Sequence, residues 1–120
     1  MRREHDVPSF ECLVNHTGGC TLIRPSGWLD AFAAPQFRQS VARLPGANAL
    51  VVDLTQVKFI DSAGLGVLVA LIRRARERGS VAAVAVPRRG VRRLLEDIGF
   101  GRIAVIVDSA EDAARMVTSA

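Results

Sequence analysis

A run of largely apolar residues, Ala49 to Leu54, is followed a few positions later by the stretch FIDSAGLGVLV at 59–69. The run is interrupted only by Asp53, which is typical of a central strand covered on both faces of its sheet. From Ser62 onward the apolar residues recur at helical spacing, and Gly79 is suited to end that helix. The sequence therefore predicts a buried strand, a short turn and a helix that begins at Ser62.

The side chain of Ser62 has more than one possible role. Serine is a good N-cap, because its oxygen accepts hydrogen bonds from the backbone N–H groups two or three residues on. A phosphate is also well tolerated at a helix N-terminus, where unpaired N–H groups and the helix dipole favour an anion. Sequence alone leaves Ser62 as a cap, as a phosphate acceptor, or as both.

The remaining pattern alternates strands with helices. The predicted order is β-β-α-β-α-β-α-β-α: a hairpin over Phe10–Val14 and Cys20–Pro25, a helix over Ala31–Arg43 capped by Asp30 with Phe32 and Phe37 on its apolar face, the strand 49–54, the helix to Arg78, a strand over Ser80–Val86, a short helix over Val91–Ile98, a strand over Arg102–Val107, and a closing helix capped by Asp108 or Ser109. Such alternation requires right-handed crossovers. The expected fold is α/β, with a mostly parallel sheet of about five strands, an antiparallel edge strand and about four helices. We expect a flexible tail at residues 1–9 and a single domain over 10–118.

Composition favours an ordered soluble protein. Of the 120 residues, 49% are hydrophobic and 5% aromatic, so the core must be aliphatic. The sequence contains neither an apolar stretch near the length of a membrane span nor a secretory signal pattern. We therefore expect a cytoplasmic protein that does not insert into membranes.

The charge is strongly basic, with a net charge of +4 and sixteen basic residues, all arginine except Lys58. The arginines form two groups, at 73–78 and at 88–93. Aromatic residues are not interleaved among them, as base stacking would favour, so we expect no direct nucleic-acid binding. Solvated helix faces are the favoured interpretation, with an acidic protein partner as the alternative.

Catalytic and metal-binding patterns are absent from the sequence. The nucleophile elbow Gly-x-Ser-x-Gly requires glycine at position 60, which is Ile60, and neither His5 nor His16 lies near Ser62 in sequence. The segment Gly64-Leu65-Gly66 lacks the endings of a phosphate-binding loop. Cys12 and Cys20 form no C-x-x-C pair and are expected to be free thiols. We expect no catalytic residues, no cofactor and no metal.

Two acidic residues and two glycines remain to be explained. Asp61 is expected to make a turn hydrogen bond and Asp53 a contact at a strand end, rather than to form a catalytic pair. Gly64 and Gly66 in one helical turn cost roughly 1 kcal/mol each relative to alanine. They therefore indicate close packing or the approach of a partner, and sequence cannot choose between these.

These residues resemble the STAS domain family, in particular the stand-alone bacterial anti-sigma factor antagonists. The resemblance rests on Val51-Val52-Asp53-Leu54, on Phe59-Ile60-Asp61-Ser62-Ala63-Gly64-Leu65-Gly66 and on the turn Gly27-Trp28-Leu29-Asp30, and it extends from Phe10 to Val117. It implies a STAS-type fold. It further implies that Ser62 is phosphorylated by an anti-sigma factor with serine kinase activity, which supplies the ATP, and is dephosphorylated by a phosphatase.

The same resemblance implies a function in partner switching. The unmodified antagonist would bind the anti-sigma factor and release a sigma factor, and phosphorylation would abolish that binding. The implied partner-binding residues are Trp28, Asp30, Asp61, Ser62, Ala63, Gly64, Leu65 and Gly66. Trp28 is either a binding anchor or a lid over the end of the hairpin. The alternative function is a non-switching STAS scaffold subunit of a stress-signalling or lipid-transport assembly, in which Ser62 is only a cap.

Overall fold

A mixed sheet forms the centre of the structure, and helices cover both of its faces. The computed structural model describes residues 9–44, 46, 48–87 and 89–118. Along these residues the elements are β1 (Phe10–Thr17), β2 (Cys20–Leu29), α1 (Ala34–Val41), β3 (Ala49–Asp53), β4 (Val57–Ile60), α2 (Ser62–Glu77), β5 (Val81–Ala85), α3 (Val91–Asp97), a 3-10 turn (Phe100–Arg102), β6 (Val105–Val107) and α4 (Ala110–Thr118). The predicted fold class is confirmed.

The strands lie in the order β1-β2-β3-β5-β6, and β4 pairs with β2 beside this path. Among the strands of the described residues, only the β1–β2 pair is antiparallel, as predicted for the edge hairpin. The described part of the sheet has six strands, so the expectation of about five was one too few. The additional strand is β4, which the sequence pattern had assigned to the turn before α2.

Strand β2 changes its neighbour halfway along its length. Its first residues pair with β3, whereas Gly27 to Leu29 pair with β4, and the register shifts between Gly27 and Trp28. Gly27 has φ +91°, and a Cβ atom there would lie 1.9 Å from the carbonyl oxygen of Ser9. Only glycine fits this bend. The bend brings the end of β2 alongside the end of β4, next to the start of α2.

The core has two parts because side chains alternate between the faces of each strand. Leu50 and Val52 of β3 face the layer formed by α1, α2 and α3, whereas Ala49 and Val51 face α4. Large side chains fill the first part, including Phe37 and Leu68, each fully buried. Burial of such a side chain contributes about 1.5–3 kcal/mol. The expectation that β3 is covered on both faces is confirmed.

The predicted bounds of several elements differ from the structure; both hairpin strands, for example, extend further than predicted, to Thr17 and Leu29. Helix α1 begins at Ala34 rather than Ala31, and Phe32 therefore lies in a turn before it and is 91% exposed instead of on the apolar face. The last strand begins at Val105 rather than Arg102, because residues 100–102 form the 3-10 turn. Of the two caps predicted for the closing helix, the structure selects Ser109: its Oγ accepts from the N–H of Asp112 at 3.1 Å.

Cys12 and Cys20 are free and partly buried, as predicted. Burial raises the pKa of both thiols, and a hydrogen bond with Ser40 opposes that rise in the pKa of Cys12. Of the predicted tail, only Ser9 lies within the described residues. Arg88 of the second arginine group likewise lies outside them. No helix in the described portions is long and apolar enough to cross a membrane.

Candidate functional site

The end of β2, the end of β4 and the first turn of α2 meet at one corner of the sheet. The backbone N–H of Asp61, which follows β4, donates to the carbonyl oxygen of Leu29 at the end of β2, at 3.2 Å. The carboxylate of Asp61 also accepts from the N–H of Ala31, at 3.1 Å. These bonds bring together the two segments that carry the predicted partner-binding residues, 28–30 and 61–66. We call this corner the Ser62 surface.

Asp61 is the N-cap of α2. Its backbone is extended, and its Oδ1 accepts from the N–H groups of Ala63 and Gly64 at 2.9 and 3.1 Å. The alternative in which Ser62 caps the helix is therefore wrong: Ser62 is already the first helical residue. Its hydroxyl cannot serve the N–H groups that its neighbour has satisfied. The predicted turn hydrogen bond of Asp61 is confirmed.

The hydroxyl of Ser62 is consequently free for other chemistry. The side chain is exposed, and among residues 9–118, as far as the structure describes them, it has no hydrogen-bond partner. The hydrogen bonds that hold this corner together are made by neighbouring residues such as Asp61, and not by the side chain of Ser62. A change at the hydroxyl would therefore break no bond that holds the fold.

Asp30 fixes the turn between β2 and α1. Its Oδ1 accepts from the N–H groups of Phe32 and Ala33, at 3.1 and 3.0 Å. The residue caps the turn that leads into α1, close to the predicted role as a helix cap. Together the two aspartates hold both segments of the Ser62 surface through backbone N–H groups.

Gly64 and Gly66 of α2 differ in the structural reason for having glycine at that position. A Cβ atom on Gly64 would lie 2.1 Å from the carbonyl oxygen of Leu29 and 2.7 Å from its Cγ, so this position is required for close packing. A Cβ atom on Gly66 would meet nothing within 4 Å. Packing therefore explains Gly64 and does not explain Gly66, which is exposed. Ala63 and Leu65 are partly buried against the core.

Aromatic side chains surround this corner. Trp28 and Phe59 are cross-strand neighbours with ring centroids 5.1 Å apart, and each is 42% exposed. Phe32 projects from the turn that Asp30 holds. Sequence reasoning missed Phe32 and Phe59 as surface residues. Both residues are close in sequence to Asp30 or Asp61, and this proximity could have indicated a surface role. Their apolar character favoured buried positions instead.

Comparison with known proteins decides the family. The STAS domain pattern matches residues 11–113. The chain belongs to the STAS domain family. An anti-sigma F factor antagonist of Paenibacillus polymyxa is 28% identical over 103 residues, covering 83% of this chain and 88% of the relative. An anti-sigma-B factor antagonist of Listeria monocytogenes is 32% identical over 83 residues, covering 68% of this chain and 73% of the relative.

A crystal structure of an anti-sigma factor antagonist from Mycobacterium paratuberculosis has the same architecture. It superposes with a TM-score of 0.83 at 26% identity, covering 92% of this chain and 95% of that one. These relatives are named for regulation rather than for catalysis. The family resemblance drawn from the sequence motifs is confirmed.

In this STAS domain Asp53 has a structural role. Its carboxylate accepts from Nε of Arg24 at 3.0 Å and from the hydroxyl and N–H of Thr55 at 2.6 and 2.9 Å. Asp53 is 3% exposed, and these bonds offset the cost of burying its charge. The expected strand-end contact is confirmed.

The imidazole of His16 lies far from Ser62 in this STAS domain. It hydrogen-bonds to the hydroxyl of Thr21, at 3.0 Å, near the opposite end of β2. At a rise of about 3.3 Å per residue, the stretch of β2 from Thr21 to Leu29 spans up to roughly 26 Å. His16 therefore cannot act as a base toward Ser62.

The first arginine group stabilises the ends of other elements. Arg74 donates to the carbonyl oxygen of Val41 and Arg78 to that of Leu44, at 3.3 and 3.4 Å. Arg76 donates to the carbonyl oxygens of residues 102 and 103, at 3.1 and 3.2 Å. These arginines are thus more than a solvated helix face: three of the four donate to backbone carbonyl oxygens of other chain segments.

Proposed function

We propose that this STAS domain is an anti-sigma factor antagonist, a binding module rather than an enzyme, whose Ser62 is phosphorylated by its partner. The observation that carries the proposal is the free, exposed hydroxyl of Ser62 at the first residue of a helix capped by Asp61. The relatives named as antagonists support it. The partner is an anti-sigma factor with serine kinase activity, and it supplies the ATP.

The Ser62 surface forms the interface with that partner. Trp28 and Phe59 present a pair of tilted aromatic rings in contact, and Phe32 adds an exposed ring. Aromatic side chains that lose their water on binding are enriched among residues with large contributions to affinity. The rigid cap at Asp61 and the turn at Asp30 hold these groups in place before the partner arrives, which lowers the entropy lost on binding.

Phosphorylation acts as a local switch at this interface. It adds about −1.5 to −2 charges to a side chain that the partner must cover. Desolvation of that charge, together with repulsion from the neighbouring carboxylate of Asp61, opposes docking. Because the hydroxyl makes no bond within the described fold, the added group changes the surface and leaves the core intact. A phosphatase restores the binding state.

The proposed partner also determines the cellular location in which this protein acts. A regulator of sigma factors acts in the bacterial cytoplasm, where transcription takes place. The proposed module contacts neither nucleic acid nor lipid directly, and its effect on transcription passes through the anti-sigma factor.

Phosphorylation is tested with a candidate anti-sigma factor that carries a serine kinase domain, ATP and mass spectrometry of the intact protein and its peptides. We expect one added phosphate, located on Ser62 and lost in Ser62→Ala. Ser9→Ala is the matched control, because Ser9 is an exposed serine outside the helix and its removal must leave the modification unchanged. Modification at another serine would contradict the proposal.

Binding is tested by calorimetry with the same candidate anti-sigma factor. We expect Ser62→Ala to bind as tightly as the unmodified protein, and Ser62→Asp to bind at least about ten-fold more weakly, as for a charge placed in a desolvated interface. Equal affinities of the two variants, with Ser62 unmodified after incubation, would favour the non-switching scaffold instead.

A further inference from the structure

A groove between α1 and α2 begins at Ser62 and follows α2 toward its C-terminal end. Its first part is lined by Ser62, Gly66 and Ala70 of α2 and by Arg38 of α1. It continues into a second part lined by Leu44, Arg74 and Arg78. Val41 and Arg74 line both parts, so the two are adjacent, and the bond from Arg74 to the carbonyl oxygen of Val41 lies between them.

The α2 side of the groove is made of small residues. Ala63, Gly66 and Ala70 are three and four residues apart, and therefore lie on one face of the helix. The absence of a side chain on Gly66 leaves open space, since an added Cβ atom meets nothing within 4 Å. A second helix can approach α2 closely along such a face. The close approach of a second helix would explain why residue 66 is glycine, which packing within the domain does not explain.

The walls of the groove are basic. Arg38, Arg74 and Arg78 line it, and no aspartate or glutamate does so among the described residues. Arg38 is exposed and makes no hydrogen bond or ion pair within the part of the chain that the structure describes. Arg74 and Arg78 each donate one bond to a carbonyl oxygen, but a guanidinium has five N–H donors. All three can therefore donate to carboxylates.

We propose that this groove binds an acidic helical segment of the partner, which extends the interface from Ser62 along α2. The proposal rests on the proposed function for the identity of the partner, and on charge complementarity for the chemistry of the segment. Carboxylates of the segment pair with Arg38 and Arg74, and its small or apolar face lies on Gly66 and Ala70. Charge-assisted bonds between arginine and carboxylate supply specificity as well as affinity.

The groove also explains how phosphorylation of Ser62 affects binding at residues other than Ser62. Ser62 and Arg38 both line the first part of the groove. A phosphate on Ser62 offers Arg38 a nearby anion and competes with the carboxylates of the segment. Phosphorylation therefore weakens the contact with the segment in addition to its effect at the aromatic residues.

The direct test uses a synthetic 16-residue helical peptide with glutamate on one face and alanine and leucine on the other, titrated into the ¹⁵N-labelled protein. We expect amide shifts at Gly66 and Ala70 and a shift of the Arg38 side-chain N–H signal. The same titration with a twelve-nucleotide thymidine strand measures general attraction to anions. Tighter binding of the strand than of the peptide would overturn the proposal, as would peptide shifts confined to other surfaces.

Matched variants separate the groove from overall charge. Arg38→Gln should weaken peptide binding about ten-fold, a loss typical of one charge-assisted pair. Arg73→Gln removes the same charge from an exposed residue of α2 that does not line the groove, and should change affinity less than about two-fold at physiological salt. Equal losses in both variants would contradict a specific groove.

Gly66→Leu tests the shape of the groove without removing charge. The larger side chain fills the space beside Ala70 and should abolish peptide shifts, while the melting temperature stays at or above that of the unmodified protein. Unchanged peptide binding in this variant would overturn the proposal. These results do not depend on phosphorylation: if Ser62 is never modified but the peptide binds the groove, the proposed switch fails and the groove stands.

Discussion

The two ends of α2 use polar side chains in opposite ways. At the N-terminal end, Asp61 satisfies the backbone and leaves the hydroxyl of Ser62 free. At the C-terminal end, Arg74, Arg76 and Arg78 donate to carbonyl oxygens of neighbouring segments. A side chain that holds the fold cannot change without cost, whereas one that makes no bond can be modified freely. The difference separates the part of the helix that maintains the domain from the part that can be regulated.

The largest expected effect is at Gly64. Gly64→Ala places a Cβ atom on the carbonyl of Leu29 and should destabilise the domain by about 3 kcal/mol, as overpacking does. The matched variant Gly66→Ala enters open space and should stabilise the helix by about 1 kcal/mol. Urea denaturation measures both. The same sign for the two variants would contradict the assignment of Gly64 to packing.

The cap should have the next largest effect. Asp61→Ala leaves two helix N–H groups and that of Ala31 without their acceptor, and should cost about 1–2 kcal/mol of unfolding free energy. Asp61→Asn keeps a capping oxygen but turns its amide group toward Ala31, so we expect an intermediate loss in urea denaturation. If Asp61→Ala were neutral while Ser62→Ala was costly, the cap would belong to Ser62 after all.

A smaller loss is expected at the C-terminal end of α2. Arg76→Met removes two bonds to the carbonyl oxygens of Arg102 and Ile103, at the end of the 3-10 turn, and should cost about 1 kcal/mol. Arg73→Met, in the same helix, serves as the control and should change stability by less than about 0.5 kcal/mol, as is usual at the surface. Thermal melting of the two variants side by side measures the contrast. Equal melting temperatures would return the arginines to the solvated-face interpretation.

The smallest effect on stability is expected at Ser62 itself. Ser62→Ala and Ser62→Asp should each lie within about 0.5 kcal/mol of the parent in urea denaturation, since the side chain is exposed and its hydroxyl is not bonded. The same two variants should differ strongly in partner binding. A loss of stability comparable to that of Asp61→Ala would show that the two residues share the cap.

Much of the fold could be predicted from the sequence because its strands and helices carry different periods. Strand β3 reads as an apolar run, and α2 repeats its apolar residues at helical spacing. Strand β4 could not be found in this way. It has four residues, of which Lys58 and Phe59 are exposed, and it is a strand because β2 bends at Gly27 and pairs with it. That pairing is a long-range contact, which a local pattern does not encode.

The site was predicted in position and only partly in mechanism. Asp61 and Ser62 are both good capping residues, and the choice between them depends on which one has extended backbone angles. Phe32 was misassigned because α1 begins three residues later than its spacing suggested. In both cases the residue types were informative, and the exact start of a helix was not.

The contact between Trp28 and Phe59 has a practical consequence for solution work. Trp28 is the single tryptophan of the chain, which contains no tyrosine. Its indole is partly exposed beside the proposed interface. The intrinsic fluorescence of this protein therefore comes from Trp28 in the Ser62 surface, and its emission maximum reports the hydration of that surface. Binding of a partner to the Ser62 surface should therefore shift the tryptophan emission spectrum, without any attached dye.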